Sequence, residues 1–199
     1  KNALELLSTQ SYLQRNGDVY EFLTDVEKDI EVEIKNTVID ESNITTLLTD
    51  ILFRDVLLES KIRYDANGQD YFYTRKLDDH SIGKEHQVSL NVITQEHKNH
   101  GAENILAAQG TGKHELLMVL PEDARLMAEI RLHIKTQKYI QQNTGGGLDA
   151  SKSSILVQRG KQNTERRSKL KSLCEGLMSK AKFFLNGALI EGLGEGDPR

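Results

Sequence analysis

The sequence predicts an α+β fold, and three observations indicate it. Leu116–Leu120 is an unbroken apolar run, short enough for a strand that is covered on both faces. Apolar residues at helical spacing follow it directly and end near Asn143. Paired β-rich runs flank Asn-Gly and Gly-rich turns elsewhere in the chain. We therefore predict a mostly antiparallel sheet of hairpins packed against two long helices, near residues 122–143 and 149–182.

The N-terminal part predicts a hairpin followed by two helices. Two β-rich runs between residues 11 and 22 flank Asn16-Gly17, which is a hairpin signal. Thr24 and Glu27 match a capping box, which begins a helix. A second helix is predicted over residues 42–58. Residues 3–7 are predicted to be the end of a helix. That helix end, the hairpin and the helix after it resemble the last third of a winged helix, so we predict a winged-helix-like remnant.

The remaining elements are predicted in chain order from turn signals and apolar spacing. They are a hairpin of residues 61–64 and 70–76, a strand at 87–93, a third hairpin of 104–108 with 114–120, the two long helices, and a closing strand or hairpin at 182–190. We place the domain boundary after residue 59, which gives domains 1–59 and 60–199.

Composition excludes several classes of protein. The chain has 199 residues, enough for one domain with a good core or for two small ones. No apolar run approaches the length of a membrane span, and no secretory signal is present. The single cysteine, Cys174, excludes an internal disulfide framework and fits the cytoplasm. Because the chain begins at Lys1 without Met and ends in a linker-like stretch, we interpret it as a piece of a longer protein.

Charge is unevenly distributed along the chain. Residues 1–59 hold thirteen acidic and five basic residues, whereas residues 152–182 hold nine basic and two acidic residues. We favour a solvated basic helix face as the interpretation. The alternatives are that this helix docks on an acidic partner, which includes the first third of this chain, or on duplex DNA. Five residues are the candidate phosphate contacts: Lys161, Arg166, Arg167, Lys169 and Lys171.

Residues 107–114 imitate a phosphate-binding loop without matching it. Ala107 replaces the first glycine of the motif, and His114 replaces the hydroxyl that holds Mg²⁺. We predict a turn between two strands there. The acids after the 116–120 strand imitate a Walker B motif, but Pro121 and the helix that follows favour a capping role for Glu122 and Asp123.

Other reactive side chains predict no catalytic site. His97 and His100 are the pair from which a metal site would be built, but no Cys pair or third spaced His supports one. Asp78 and Asp79 lie in a polar loop and are predicted to be solvated. Cys174 has no His and acid near it in sequence.

Aromatic residues cluster in the second hairpin. Tyr64, Tyr71, Phe72 and Tyr73 could form a platform on which bases stack. Aromatic side chains in hairpins usually pack on the core or pair across strands, and we favour that interpretation.

Five segments without a catalytic motif carry a resemblance over nearly the whole chain: residues 11–34, 50–57, 62–79, 116–143 and 180–192. Together they resemble the BrxC/PglY family, the large P-loop ATPases of bacteriophage-exclusion (BREX) defence systems. The resemblance implies a bacterial cytoplasmic protein that acts with other BREX components to block phage replication while host DNA is methylated.

The resemblance also implies what this chain does within that protein. The family's ATPase module, with its ATP and Mg²⁺, would lie nearer the N-terminus, so this chain would be an internal segment downstream of the nucleotide site. We expect it to be non-catalytic, to hold no cofactor and to serve assembly with other BREX components or with itself. Contact with duplex DNA through the basic helix is the alternative, and no membrane is expected.

Overall fold

The computed structural model describes residues 3, 6, 7, 12–16, 19–145 and 150–190. Among them are nine strands: β1 Leu13–Asn16, β2 Val19–Phe22, β3 Lys61–Tyr64, β4 Gln69–Leu77, β5 His80–Ile82, β6 Val88–Ile93, β7 Glu115–Val119, β8 Lys182–Leu185 and β9 Ala188–Ile190. The same residues form five α-helices: α1 Asp25–Asn36, α2 Glu41–Asp50, α3 Glu103–Gly110, α4 Ala124–Asn143 and α5 Ala150–Met178. A π-helical turn, Ile51–Val56, continues α2. The α+β class with two long helices is therefore confirmed.

Contacts between Cα atoms group the chain into two compact units, and neither is continuous in sequence. The first unit comprises Lys1–Ile44 and Ala128–Lys169. The second comprises Thr45–Met127 and Leu170–Arg199. The domain boundary after residue 59 stays a prediction. None of the helices in the described part of the chain is long and apolar enough to cross a membrane.

In the first unit, β1 and β2 form an antiparallel hairpin. Its turn residues Gly17 and Asp18 lie outside the described residues, and the winged-helix remnant stays a prediction. The predicted capping box is present, since the Thr24 N–H donates to Glu27 Oε2 at 2.8 Å and the Glu27 N–H donates to Thr24 Oγ1 at 3.4 Å. The sequence pattern therefore locates the start of α1 correctly.

Helix α4 holds the carboxyl end of α1 inside the first unit. A buried apolar cluster is formed by Ile30, Ile34, Tyr139 and Leu156. Lys135 Nζ donates to the Lys35 carbonyl at 2.5 Å, and Lys138 Nζ donates to the Val38 carbonyl at 2.9 Å. These ammonium groups satisfy carbonyls at and just beyond the end of α1 and complement the negative end of its dipole.

The second unit contains one mixed sheet in the order β3-β4-β6-β7-β8-β9, with β5 also pairing to β4. The outer pairs are antiparallel, but β4 to β6 and β6 to β7 are parallel. As predicted, β7 lies between two neighbours, and its residues Leu117–Val119 are buried. Strand β5, in the predicted polar loop of residues 77–86, was not expected.

The predicted third hairpin is wrong. Residues 104–108 belong to helix α3, which buries Leu106 against Ile93, Leu117 and Phe184. Because a helix instead of a turn joins β6 to β7, those two strands run parallel. The segment that imitates a phosphate loop was predicted to lie between two strands, but it follows helix α3 and precedes strand β7.

Candidate functional site

The basic residues of α5 were the first candidates for a functional surface, and the structure separates them. Lys161 and Lys169 lie exposed on one side of the helix with Glu165 between them, each four residues from the next. Arg166 is only 16% exposed, and its Nε lies 3.0 Å from Glu129 Oε2. The exposed side of α5 is therefore mixed in charge at this point.

Arg167 and Lys171 complete the candidate set. Arg167 is half-buried. The half-exposed Lys171 Nζ lies 3.8 Å from Glu175 Oε1 of the same helix. No pattern in the sequence indicates that these basic side chains differ in exposure, since that depends on which face of α5 its neighbours cover.

Arg159 shows most directly where the basic charge of α5 goes. Its side chain is 3% exposed, and its Nε lies 3.0 Å from Glu31 Oε1 on α1. Arg159 Nη1 also donates to Gln162 Oε1 at 2.9 Å. One basic residue of α5 therefore pairs with the acidic first third of the chain. This agrees with the interpretation that the basic helix docks within the chain itself.

The imitation phosphate loop uses its backbone amides internally. The N–H groups of Thr111 and Lys113 donate to the Ala108 and Gly110 carbonyls, both at 3.2 Å. The Gly112 N–H donates to Asn186 Oδ1 at 2.9 Å. A phosphate loop needs such amides to face the ligand and lies between a strand and the helix that follows it, whereas this segment leads from helix α3 into strand β7.

Glu122 and Asp123, the acids that imitate a Walker B motif, directly precede helix α4. The helix begins at Ala124, two residues later than predicted, and Asp123 Oδ1 accepts the Arg125 N–H at 2.8 Å. The side chain of Arg125 also contacts Asp123, which together with that N–H lowers the pKa of the Asp123 carboxyl to about 2. Asp123 thus has the capping role that the sequence indicated.

A buried polar cluster lies where strands β4 and β6 end. Asp79 accepts hydrogen bonds from Asn91 Nδ2 at 2.8 Å and contacts His97 Nε2 at 3.0 Å. Asn91 and His97 are 0% and 7% exposed. The adjacent Asp78 accepts from the backbone N–H and the hydroxyl of Thr94, both at 2.7 Å. Both aspartates are therefore bound to protein groups. The expectation that they are solvated is corrected for the half-buried Asp78, whereas Asp79 keeps about half of its side chain in solvent.

This cluster holds a loop to the sheet. Asp78 and Asp79 have positive φ angles of 48° and 71°, a conformation that few residues other than glycine adopt. Burial raises the pKa of the Asp78 carboxyl, and the hydrogen bonds from Thr94 oppose that rise. The hydrogen bonds to Thr94, Asn91 and His97 fix the tight turn between β4 and β5.

The two candidate metal ligands point to different partners. His97 contacts Asp79, whereas His100 Nε2 donates to the Leu120 carbonyl at 2.9 Å. In the described part of the chain, no group of three or more His, Cys, Asp or Glu side chains is placed to hold a metal ion. Cys174 is completely buried, and this burial raises the pKa of its thiol to about 12.

The outer end of the β3–β4 hairpin is the feature that the sequence interpretation missed. Tyr73 packs in the core, but Tyr64, Tyr71 and Phe72 are 56%, 43% and 52% exposed. Tyr71 does pair across the strands with Ile62, which is itself 61% exposed. The sequence interpretation favours core packing or cross-strand pairing for these aromatic residues, and it does not predict that three of them are so exposed. The outer end of the hairpin is thus an exposed apolar surface, which we call the arm (residues 61–72).

Comparison with known proteins decides the family. The family profile described as "BREX ATP-binding protein BrxC 4th domain with six-stranded beta sheet" matches residues 37–199. The chain belongs to this family. No solved structure is significantly similar to it.

The structure agrees with the family description. The continuous path of hydrogen-bonded strands in this BrxC-family sheet contains six strands, with β5 beside it. The match also confirms the resemblance to the BrxC-family BREX proteins that the sequence segments indicated. The arm, helix α3 and the polar cluster all lie within the matched residues.

Proposed function

We propose that this chain is a non-catalytic assembly domain of a BREX ATPase. The observation that carries the proposal is the arm, whose Ile62, Tyr64 and Tyr71 side chains are each more than two-fifths exposed. Apolar surface of this kind, gathered on one element, marks protein–protein contacts more often than catalytic sites. Membership in the BrxC family supports other BREX components as the partners, and a second copy of the chain is the other candidate.

The catalytic work belongs, in this proposal, to another part of the parent ATPase. ATP and Mg²⁺ would bind outside this chain, in the bacterial cytoplasm. The geometry of residues 107–114 supports this, because the amides that a nucleotide would need donate to Ala108, Gly110 and Asn186. The buried Cys174 thiol stays protonated at neutral pH and offers no nucleophile.

Duplex DNA is the alternative partner, and Lys161 and Lys169 are the observation that favours it. Both are exposed on α5. Against this stand Glu165 between them and the ion pairs that Arg159 and Arg166 make with Glu31 and Glu129. Phosphate binding needs several basic groups free at once, so assembly is the better-supported function.

Capture of defined partners tests the proposal. The tagged chain would be co-expressed with the other components of its BREX system and with a second, differently tagged copy, and captured proteins would be identified by mass spectrometry. We expect the amount of captured partner to fall at least roughly tenfold in an Ile62→Asp variant. The substitution replaces an apolar residue at the centre of the contact with a charged one. Ile105→Asp, at a 51% exposed position on α3, is the matched control.

Two results would overturn this function. The first is that neither a BREX component nor the second copy is captured. The second is steeply salt-dependent binding of duplex DNA that a Lys161→Glu/Lys169→Glu variant loses, which would assign the chain to DNA contact instead. The double variant leaves the ion pairs of Arg159 and Arg166 intact, so loss of folding would not explain its effect.

A further inference from the structure

The arm stands clear of the sheet. Strand β3 pairs with residues 69–72 of β4, whereas β6 pairs only with residues 73–77. The outer half of the hairpin is therefore a two-stranded ribbon in the part of the chain that the structure describes. All four β3 residues and the first four of β4 are exposed.

The two faces of the arm differ in chemistry. One face carries Ile62, Tyr64 and Tyr71. Because side chains alternate along a strand, the charged residues lie on the opposite face and this face is neutral. The Tyr71 hydroxyl donates to Gln69 Oε1 at 3.0 Å and accepts from Asn67 Nδ2 at 2.8 Å. Its polar group is thus bound within the turn, and the ring is left as apolar surface.

The other face carries charged side chains that balance one another, and also the exposed Phe72, which lies opposite Lys61. Lys61 Nζ lies 2.6 Å from Asp70 Oδ2, and Arg63 Nη1 lies 3.5 Å from Asp70 Oδ1. Asp65, in the turn, adds a second acid, so the two bases and two acids of residues 61–70 cancel. Two arms can therefore approach each other without net repulsion.

The free edge of β3 can hydrogen-bond to another strand. The Tyr73 N–H donates to the Ser60 carbonyl, so in this antiparallel register Ser60, Ile62 and Tyr64 direct their backbone groups towards β4. The backbone N–H and C=O groups of Lys61 and Arg63 alternate with these and point to the outer edge. An added strand would find its partners there.

We propose that the arm pairs with the arm of a second copy of this chain, through antiparallel β3 strands centred on Arg63. The inference rests on the proposed assembly function and names its partner. In this register Ile62 lies opposite Tyr64 of the second copy, and Lys61 lies opposite Asp65 of the second copy. In this register, apolar side chains therefore lie opposite apolar side chains, and a basic side chain lies opposite an acidic one.

Other registers are less favourable. Centring the pair on Ile62 places Lys61 opposite Arg63 of the second copy, twice, which brings like charges together. Slipping by one residue places apolar side chains opposite charged ones. The chosen register brings the two Arg63 side chains together, but each has Asp70 beside it. Because only residues 61–65 of each copy pair, the contact buries less than the roughly 1,200–2,000 Å² of stable complexes, and association is concentration-dependent.

Disulfide trapping tests the register. Antiparallel hydrogen-bonded pairs have Cα atoms about 5.5 Å apart, within the range that a disulfide spans. An Arg63→Cys variant should therefore form disulfide dimers roughly tenfold faster than Ile62→Cys or Lys61→Cys variants, whose Cα atoms would be farther apart than a disulfide allows. Cys174 is buried and does not compete. Ile105→Cys, exposed on α3, measures random collision.

The outcomes separate this inference from the function on which it rests. Trapping that is equal at positions 61, 62, 63 and 105, or absent at all four, overturns the pairing. If BREX components are nevertheless captured and Ile62→Asp abolishes that capture, assembly stands and another component covers the arm. If the chain captures no component and no second copy, both proposals fail. Circular dichroism of each variant would establish that it folds.

Discussion

Arg159 Nε lies 3.0 Å from Glu31 Oε1, and the two side chains are only 3% and 13% exposed. This pair joins the basic helix α5 to the acidic helix α1 inside one compact unit. It shows that part of the charge that is separated in the sequence is complementary within the fold. A basic segment therefore need not indicate a nucleic-acid partner.

Replacing Arg159 should destabilise the protein strongly. An Arg159→Met variant leaves Glu31 buried without its ion pair, and breaking a buried pair in this way costs about 3–5 kcal/mol in the free energy of unfolding. Lys28→Met is the control, since Lys28 pairs with the 97% exposed Asp25 and should cost less than about 1 kcal/mol. Urea titration would measure both variants.

The double replacement sharpens that test. Arg159→Met combined with Glu31→Met removes both charges, and such apolar substitutions of a buried pair are often neutral, so most of the stability should return. Additive losses in the double variant would show that Arg159 acts through packing and not through its charge.

The chain should not hydrolyse ATP. Because the Gly112 amide donates to Asn186 and the neighbouring amides donate to α3, they cannot bind phosphate. Phosphate release by the purified chain should match a protein-free blank, and a Lys113→Ala variant should behave identically. Turnover that disappears in Lys113→Ala would contradict both this prediction and the assignment of catalysis to another part of the parent protein.

Stability should fall as the pH is lowered through the titration of His133. Burial, together with the charges of Arg166 and Arg167, lowers the pKa of this imidazole below 6.5, and its Nδ1 donates to the Asn163 carbonyl at 3.2 Å. As the pH falls below about 6.5, His133 is protonated in the unfolded chain before it is protonated in the folded protein. The free energy of unfolding therefore decreases until the pH is below the pKa of His133 in the folded protein.

A His133→Gln variant isolates that contribution. Its free energy of unfolding should depend less on pH between 7 and 5 than that of the wild type, because glutamine does not titrate. Urea titrations at a series of pH values would measure the difference. Parallel pH profiles for the two proteins would show that other groups dominate.

A side chain at Gly187 should destabilise the protein. Its φ is +83°, and a Cβ there would lie 2.5 Å from Thr111 Oγ1. We expect Gly187→Ala to lower the melting temperature, with a cost of about 1–3 kcal/mol in the free energy of unfolding. In a Thr111→Ala background the clash disappears but the strained φ remains, so part of the loss should be recovered. An equal loss in both backgrounds would contradict the role of the contact.

Short-range patterns account for the elements that were predicted correctly. Thr24 and Glu27 satisfy each other's backbone groups, so the start of α1 is a property of four consecutive residues. The apolar run of β7 and the helical spacing of α4 are similarly local, which is why both were recognised. The start of α4 was misplaced by two residues, since Pro121 precedes the helix and Asp123 caps it.

Helix α3 could not be predicted from the local sequence pattern. Its apolar residues are too few to distinguish a strand from a helix by periodicity. Packing of Leu106 against Leu117 and Phe184 accompanies the helix, and these partners are distant in sequence. The wrong element then produced the wrong pairing, because a hairpin requires antiparallel strands and a helical crossover permits parallel ones.

The sequence by itself determined the α+β class, both long helices and most strands, because these depend on residue types at short and regular spacing. The family was indicated by the resemblance of five segments taken together. Only the tertiary structure decided which strands run parallel, which charges are buried and which aromatic residues face solvent. Arg159 and Lys161 lie two residues apart on one helix, yet one is buried in an ion pair and the other is exposed. That difference arises from what packs against each face of α5, and residue spacing along the chain does not contain it.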